Sequence, residues 1–284
     1  MRITTYITVL AVACLMFWGC GDPLPENQPD YQAYEPTQPE PLDCVPNLDG
    51  RIEAAELTPQ VGVPVRFLVS PAAQTRSVDL EGRELASGRR VWDWSEQIPT
   101  DREAIIEAEP VEGQWFADDF PGDAFVVPFD LGESTKAIYT RDEQAFRLHG
   151  IASAQQDPPE GRTLIVYETP VELYRFPIEP GKQWVSTGVA NDATVRGVPY
   201  AGRDIYEVEV AAIGRLDLPN ITFDEALRVN TKVTVQPAAG QSVSTRQTSF
   251  LFECFGEVAR ARSQEGEESP SFETATEVRR FGFE

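Results

Sequence analysis

The sequence predicts an all-β fold, mainly antiparallel: an open half-barrel or a sandwich, with a small N-terminal β part. Two long segments carry the prediction. In IYEVEVAAIGRLDL, Tyr206, Val208, Val210, Ala212, Leu216 and Leu218 alternate with Glu207, Glu209, Arg215 and Asp217. In ALRVNTKVTVQ, Leu227, Val229, Thr231, Val233 and Val235 alternate with Arg228, Asn230, Lys232 and Gln236. A period of two over ten or more residues means long strands with one apolar and one wet face. A slip of one residue would turn the apolar set into water, so the register is firmly specified. Elsewhere, short β-rich runs alternate with Gly, Pro and Asp clusters, and helical spacing is scarce. Thr100 to Glu107 is the one modest helical stretch.

The chain opens on MRITTYITVLAVACLMFWGCGD, in which Arg2 precedes an apolar run closed by Gly19 and Cys20. A charged start, an apolar middle and a small residue at the boundary form an export signal over residues 1–19. A cysteine directly after the small residue resembles the lipobox of bacterial lipoproteins. That resemblance implies cleavage before Cys20, lipidation of Cys20, and a body tethered at the outer membrane or at the periplasmic face of the envelope. Phe17 and Trp18 depart from the usual lipobox, so a plain secretory signal or an uncleaved anchor stays open. Residues 20–43 then read as a disordered acidic tether. From Gly21 to Asp43 there are six prolines, six acids and no basic residue, too little apolar matter to build a core.

Apart from Cys14 and Cys20 of the export segment, two cysteines remain, Cys44 and Cys254. In an oxidising compartment an isolated pair reads as a disulfide, against the alternative of two buried thiols that never meet. Acids outnumber bases 46 to 24, a formal charge of −22. Such a surface repels phosphate backbones and disfavours nucleic-acid partners.

Within residues 44–119, CVPNLDGRIEAAEL comes first. With Gly50 as the sixth position of a calcium loop, Asn47, Asp49, Arg51 (through its carbonyl), Glu53 and Glu56 fall at positions three, five, seven, nine and twelve. Hard oxygens, a turn-forming glycine and a terminal glutamate suit Ca2+. Val45 stands at the first position, where Asp is usual, and prolines crowd the approach. The site is therefore at most a half-site, and a turn leading into a short helix is the alternative. No cofactor is required; Ca2+ is the one candidate. From Val61 the texture is β. Pro64 lies opposite an apolar row running from Val61 to Val69, which predicts an edge strand. Short strands follow around Val78, Val91 to Trp94, Ile105 to Ala108 and Gln114 to Ala117.

Residues 120–284 hold the larger β part. Strands are expected at Ala124 to Phe129, Lys136 to Arg141, Ala145 to Ile151 and Thr163 to Glu168, then the two long alternating segments. Thr248 to Cys254, Glu257 to Arg262 and Thr274 to Phe281 follow as closing strands.

Two likenesses emerge from these motifs. The Cys-Val-Pro-Asn-Leu-Asp-Gly opening behind a lipobox and an acidic tether resembles a group of myxobacterial-type lipoproteins with EF-hand-like loops. From about Tyr139 to Arg262 the chain is similar to periplasmic β domains related to lipoprotein-carrier half-barrels. Phe176, Pro177, Gly181 and Trp184 fit one turn of that pattern; Leu218, Pro219 and Phe223 fit a second. Asn220 stands where that family has glycine. Neither likeness brings a catalytic residue to transfer.

Catalytic chemistry finds little support in the residues. His149 is the only histidine; no G-x-S-x-G elbow accompanies it, and alternation puts it on a wet face or rim. Several-histidine zinc sites are excluded by count, and no phosphate cradle is present. Asp118, Asp119, Asp123 and Asp130 flank aromatic residues. Paired carboxylates can cleave glycosides, but acids and aromatics at a β turn more commonly form an anchored loop. Trp92, Trp94, Trp115 and Trp184 read as core. The expectation is a non-enzymatic, membrane-anchored envelope lipoprotein with a structural or binding role. Its alternatives are a half-barrel carrier of an apolar ligand and a weak calcium-binding surface module. Its partners would be the membrane, through the anchor, and an apolar ligand or another envelope protein.

Overall fold

Residues 44–57, 61–130, 132 and 134–282 are described by the computed structural model. The export signal, Cys20 and the tether over 20–43 lie outside them. The N-terminal strands are β1 (Val65–Val69), β2 (Arg76–Ser77), β3 (Arg83–Glu84), β4 (Arg90–Asp93), β5 (Arg102–Ile106) and β6 (Glu109–Pro110). The chain continues through β7 (Phe125–Pro128), β8 (Thr135–Arg141), β9 (Ala145–Ser153), β10 (Leu164–Arg175) and β11 (Gln183–Val195). It ends with β12 (Val198–Leu218), β13 (Ile221–Pro237), β14 (Val243–Phe252), β15 (Gly256–Ser263) and β16 (Thr274–Phe281). Helix is confined, among the described residues, to 3-10 turns at Ala54–Glu56 and Ala117–Asp119.

All these strands join one sheet, ordered β5-β1-β16-β15-β14-β13-β12-β11-β10-β9-β8-β7-β6, with β2, β3 and β4 attached beside it. From β6 to β16 each strand pairs with its successor, because short turns join neighbours and favour antiparallel hairpins. The sheet is open: among the described residues no ladder joins its terminal strands β5 and β6. Only Glu107 and Ala108 separate those two in sequence. Three trans peptides span at most about 11 Å, so the sheet must curl until its two edges nearly meet. Contacts across the curl agree. Tyr174 of β10 packs in one apolar cluster with Leu251 of β14, four places along the sheet.

The β12–β13 hairpin is the spine of this sheet. Its turn, Pro219-Asn220, leaves Leu218 paired with Ile221. Proline holds the first turn position at negative φ, and Asn220 sits at φ 67°, the pattern of a type II turn. Asparagine tolerates that left-handed position, so the turn forms without the family's glycine.

Alternation along β12 does not hold to its end. The register slips between Val210 and Ala212, leaving Ala211 as an extra residue. A bulge of one residue reverses the faces beyond it. Tyr206, Val208 and Val210 therefore enter one apolar cluster, with Val229, Trp184 and Leu251. Leu216 and Leu218 enter another, with Trp92, Phe223 and Phe250. A bulge in β13 between Phe223 and Ala226 keeps the hairpin in step. The single apolar face expected from Tyr206 to Leu218 is thus two half-faces on opposite sides of the sheet.

β11 accompanies β12 only as far as Glu209. Beyond the bulge β4 takes its place, pairing parallel to Gly214–Asp217. A Cβ at Gly214 would lie 2.4 Å from the Arg90 carbonyl oxygen, so the absence of a side chain is what admits β4. Trp92 then packs fully buried against Phe250, ring centroids 5.0 Å apart.

Three local expectations are corrected. β1 is flanked by both β5 and β16 and is not an edge, because Pro64 precedes the ladder and no donor is missing from it. Arg102–Ile106 is the strand β5, where pairing with β1 overrides a modest helical spacing. Gln114 to Ala117 is turn leading into 3-10, held by Gln114 and Ala117 amides donating to the Val111 and Gln114 carbonyls.

Candidate functional site: the cross-linked loop and the concave face

Cys44 and Cys254 form a disulfide, with Cα atoms 5.6 Å apart and a sequence separation of 210. Cys254 lies in the turn between β14 and β15 at φ 66°, and its amide donates to the Glu56 carbonyl at 2.7 Å. The bridge thereby brings Glu253 against the calcium-loop-like segment. The Asn47 and Leu48 amides donate to Glu253 Oε2 at 2.6 and 2.9 Å. Glu253 is the site residue that sequence reasoning missed. Its signal was adjacency to the second cysteine.

The five residues proposed for Ca2+ do meet in this loop, but they bind one another. Asn47 Oδ1 accepts from the Asp49 amide and Asn47 Nδ2 donates to Glu56 Oε1, both at 2.9 Å. Asp49 accepts from the Arg51 backbone and side chain, and Arg51 Nε lies 3.1 Å from Glu53. Glu56 reaches back to the Glu53 amide at 2.8 Å, closing a capping box on the 3-10 turn. Burial raises the Glu56 pKa, and the charges of Glu253, Asp49 and Glu53 add to that rise against the hydrogen bond from Glu53. Among the described residues no group of three or more His, Cys, Asp or Glu is placed to hold a metal ion. Ile52 ties the segment to the sheet through paired backbone bonds with Ile178 at 2.9 and 2.8 Å.

The concave face is filled by the protein itself. Phe125, Tyr139, Phe146 and Tyr174, from β7 to β10, form a chain of rings with centroids 5.1 to 6.0 Å apart. Opposite them stands an ionic network on β14, β15 and β16. Arg260 Nη2 lies 2.8 Å from Glu277, Arg279 bonds Glu257, and the Ser249 hydroxyl donates to Glu257 at 2.6 Å. The four charged side chains are 11–18% exposed. Burial pushes the Glu257 pKa up, but Arg260 and Arg279 outweigh it and hold the carboxyl below its usual range. Burial also raises the Tyr139 hydroxyl to about 12. In such a network the cost of removing the charges from water offsets much of their mutual attraction.

The remaining candidates are held in structural roles. Each of the four expected core tryptophans donates its indole N–H to a backbone carbonyl: Trp92 to Leu80, Trp94 to Asp79, Trp115 to Ser153 and Trp184 to Glu172. His149 Nε2 pairs with the Thr140 hydroxyl at 2.8 Å. Burial, with Arg147 nearby, lowers its pKa against the pull of Asp123. Asp118 and Asp119 lie in the 3-10 turn. Asp130 organises the β7–β8 loop, accepting from the Gly132, Ser134 and Thr135 amides and from the Ser134 and Thr135 hydroxyls.

Comparison with protein-family models, curated proteins and solved structures finds no match for the chain.

Proposed function

We propose that this chain is a lipid-anchored envelope protein whose body has a structural or binding task rather than a catalytic one. The observation that carries the reading is the disulfide from Cys44 to Cys254, a bond that persists in oxidising compartments. It lies downstream of an export-type leader whose last residue before Cys20 is small. The rings and ion pairs that fill the concave face favour a structural role over the carriage of an apolar guest on that face. The buried acid Glu257 is committed to two arginines and a serine, which suits a scaffold better than an acid–base centre.

Metabolic labelling with a tritiated fatty acid tests the anchor. Label is expected on the wild type and is expected to be lost on Cys20→Ser, with the wild-type protein in the membrane fraction. An unlabelled wild type recovered from the cytosol, with both body cysteines free by intact-mass analysis, would overturn the reading.

A further inference from the structure

Among the carboxylates buried on the concave side, Glu257 and Asp204 have surroundings that differ in one respect. Glu257 has Arg260 and Arg279 beside it. Asp204, on β12, is 9% exposed and has no cation beside it among the described residues. Its one favourable neighbour is Tyr167, whose hydroxyl donates to Asp204 Oδ2 at 2.5 Å. Its other oxygen, Oδ1, is buried with no hydrogen-bond partner. Leaving such an acceptor unmet destabilises the fold, the more so if it is charged. Burial accordingly raises the Asp204 pKa against the Tyr167 hydrogen bond.

Three phenols surround this carboxylate. Tyr167 and Tyr206 are buried in the same apolar cluster. Tyr200, half-buried, belongs to the same alternating row of β12 as Asp204 and Tyr206. A Cβ on Gly202 would come 2.5 Å from the Tyr200 hydroxyl oxygen, so that side chain folds back along the row toward Asp204. Burial raises the Tyr200 pKa and the Asp204 charge adds to the rise, in keeping with that approach. Tyr200 also lines a cleft of about 430 Å3, together with Asn191, Asp192, Ala193, Pro199 and Ala201. Of the three phenols it is the one that borders this cleft.

We propose that Asp204, Tyr167, Tyr200 and Tyr206 form a binding site for an alkylammonium group, entered from the cleft by movement of Tyr200. The donor set selects this chemistry. One carboxylate oxygen and phenol oxygens accept N–H bonds, and aromatic faces attract organic cations. Calcium would require six or more oxygens, which this row does not supply. The cleft mouth carries Asp192, and the overall charge of −22 draws cations toward it.

The test uses the full chain in mild detergent at about 150 mM NaCl, where long-range surface charge is largely screened. The probe is n-butylammonium chloride, with sodium butyrate as the matched anion with a similar tail. Butylammonium is expected to raise the melting temperature of the wild type and of Glu207→Gln, which removes an acid from the opposite face of the same strand. Asp204→Asn keeps the side-chain shape and is expected to bind at least tenfold more weakly by calorimetry. Butyrate is expected to move none of them. No response of the wild type at millimolar butylammonium, or an equal response from Asp204→Asn, would overturn the proposal. Should Asp204→Asn fail to fold, the wild type's near-ultraviolet tyrosine spectrum decides; a spectrum unchanged by butylammonium is then the overturning result.

Discussion

The two halves of the β12–β13 hairpin are built from the same alternating sequence yet are held differently. The near half, from Asp204 to Val210, pairs with β11 and turns its apolar residues to the concave face. Beyond the extra residue at Ala211, the far half pairs with β4 and turns Leu216 and Leu218 to the other side, onto Trp92, Phe223 and Phe250. The near half is thus stabilised by a meander of neighbours close in sequence. The far half depends on a segment more than a hundred residues away. One inserted residue is enough to hand a hairpin from one core to another.

Several experiments would sharpen or break that contrast. The largest effect is expected from Cys44→Ser, which opens a loop spanning a separation of 210 residues. Chain-closure entropy sets the loss at about 5 kcal/mol of unfolding free energy; a denaturant midpoint that does not move would show that the bridge adds nothing to either half. Next is Trp92→Ala, expected to cost about 3–5 kcal/mol because the ring is fully buried and its N–H bonds Leu80 at 3.0 Å. Amide exchange should quicken across β4 and the far half while the near half stays protected. Uniform loss of protection would mean that the two halves unfold as one.

Gly214→Val forces a Cβ into the Arg90 carbonyl and is expected to detach β4, giving the same pattern of exchange at roughly 1–3 kcal/mol. Acid should weaken the ionic network of β14, β15 and β16. Glu257 has a depressed pKa in the fold, so its contribution is complete above the unfolded value near 4.5 and is lost as pH falls through the folded value. Glu257→Gln is expected to flatten the fall in stability below about pH 4.5, as followed by urea midpoints against pH. The smallest change belongs to the hairpin tip. Asn220→Gly should shift stability by less than about 1 kcal/mol, and Asn220→Ala should lower it by about 1 kcal/mol, because φ is 67° there. Millimolar calcium is expected to leave the melting temperature unchanged, since the Asn47 to Glu56 side chains already satisfy one another.

The sheet was legible in the chain because its strands from β7 onward are hairpin neighbours with period-two patterning, and most of their expected spans fall on strands. The bulge at Ala211 was not, because the run Val210-Ala211-Ala212-Ile213 is apolar throughout and hides a change of face. The placement of β4 beside β12 was also hidden. Parallel pairing over that distance leaves no local mark, and Gly214 resembles any other strand glycine. Within the loop, the cysteine pair and the oxygen-bearing residues could be read directly. That Arg51 and Asn47 would occupy those oxygens depends on side-chain directions that spacing does not encode.

The cross-link from Cys44 to Cys254 also decides how the molecule would answer a mechanical load. A pull entering from residues before Cys44 crosses the sulfur bridge to the turn after β14 and continues toward the C-terminus. Only β15 and β16 lie on that route; the chain between the cysteines is bypassed. Stretched between its ends, the protein would release a short length of chain and then hold, its larger part slack and still folded.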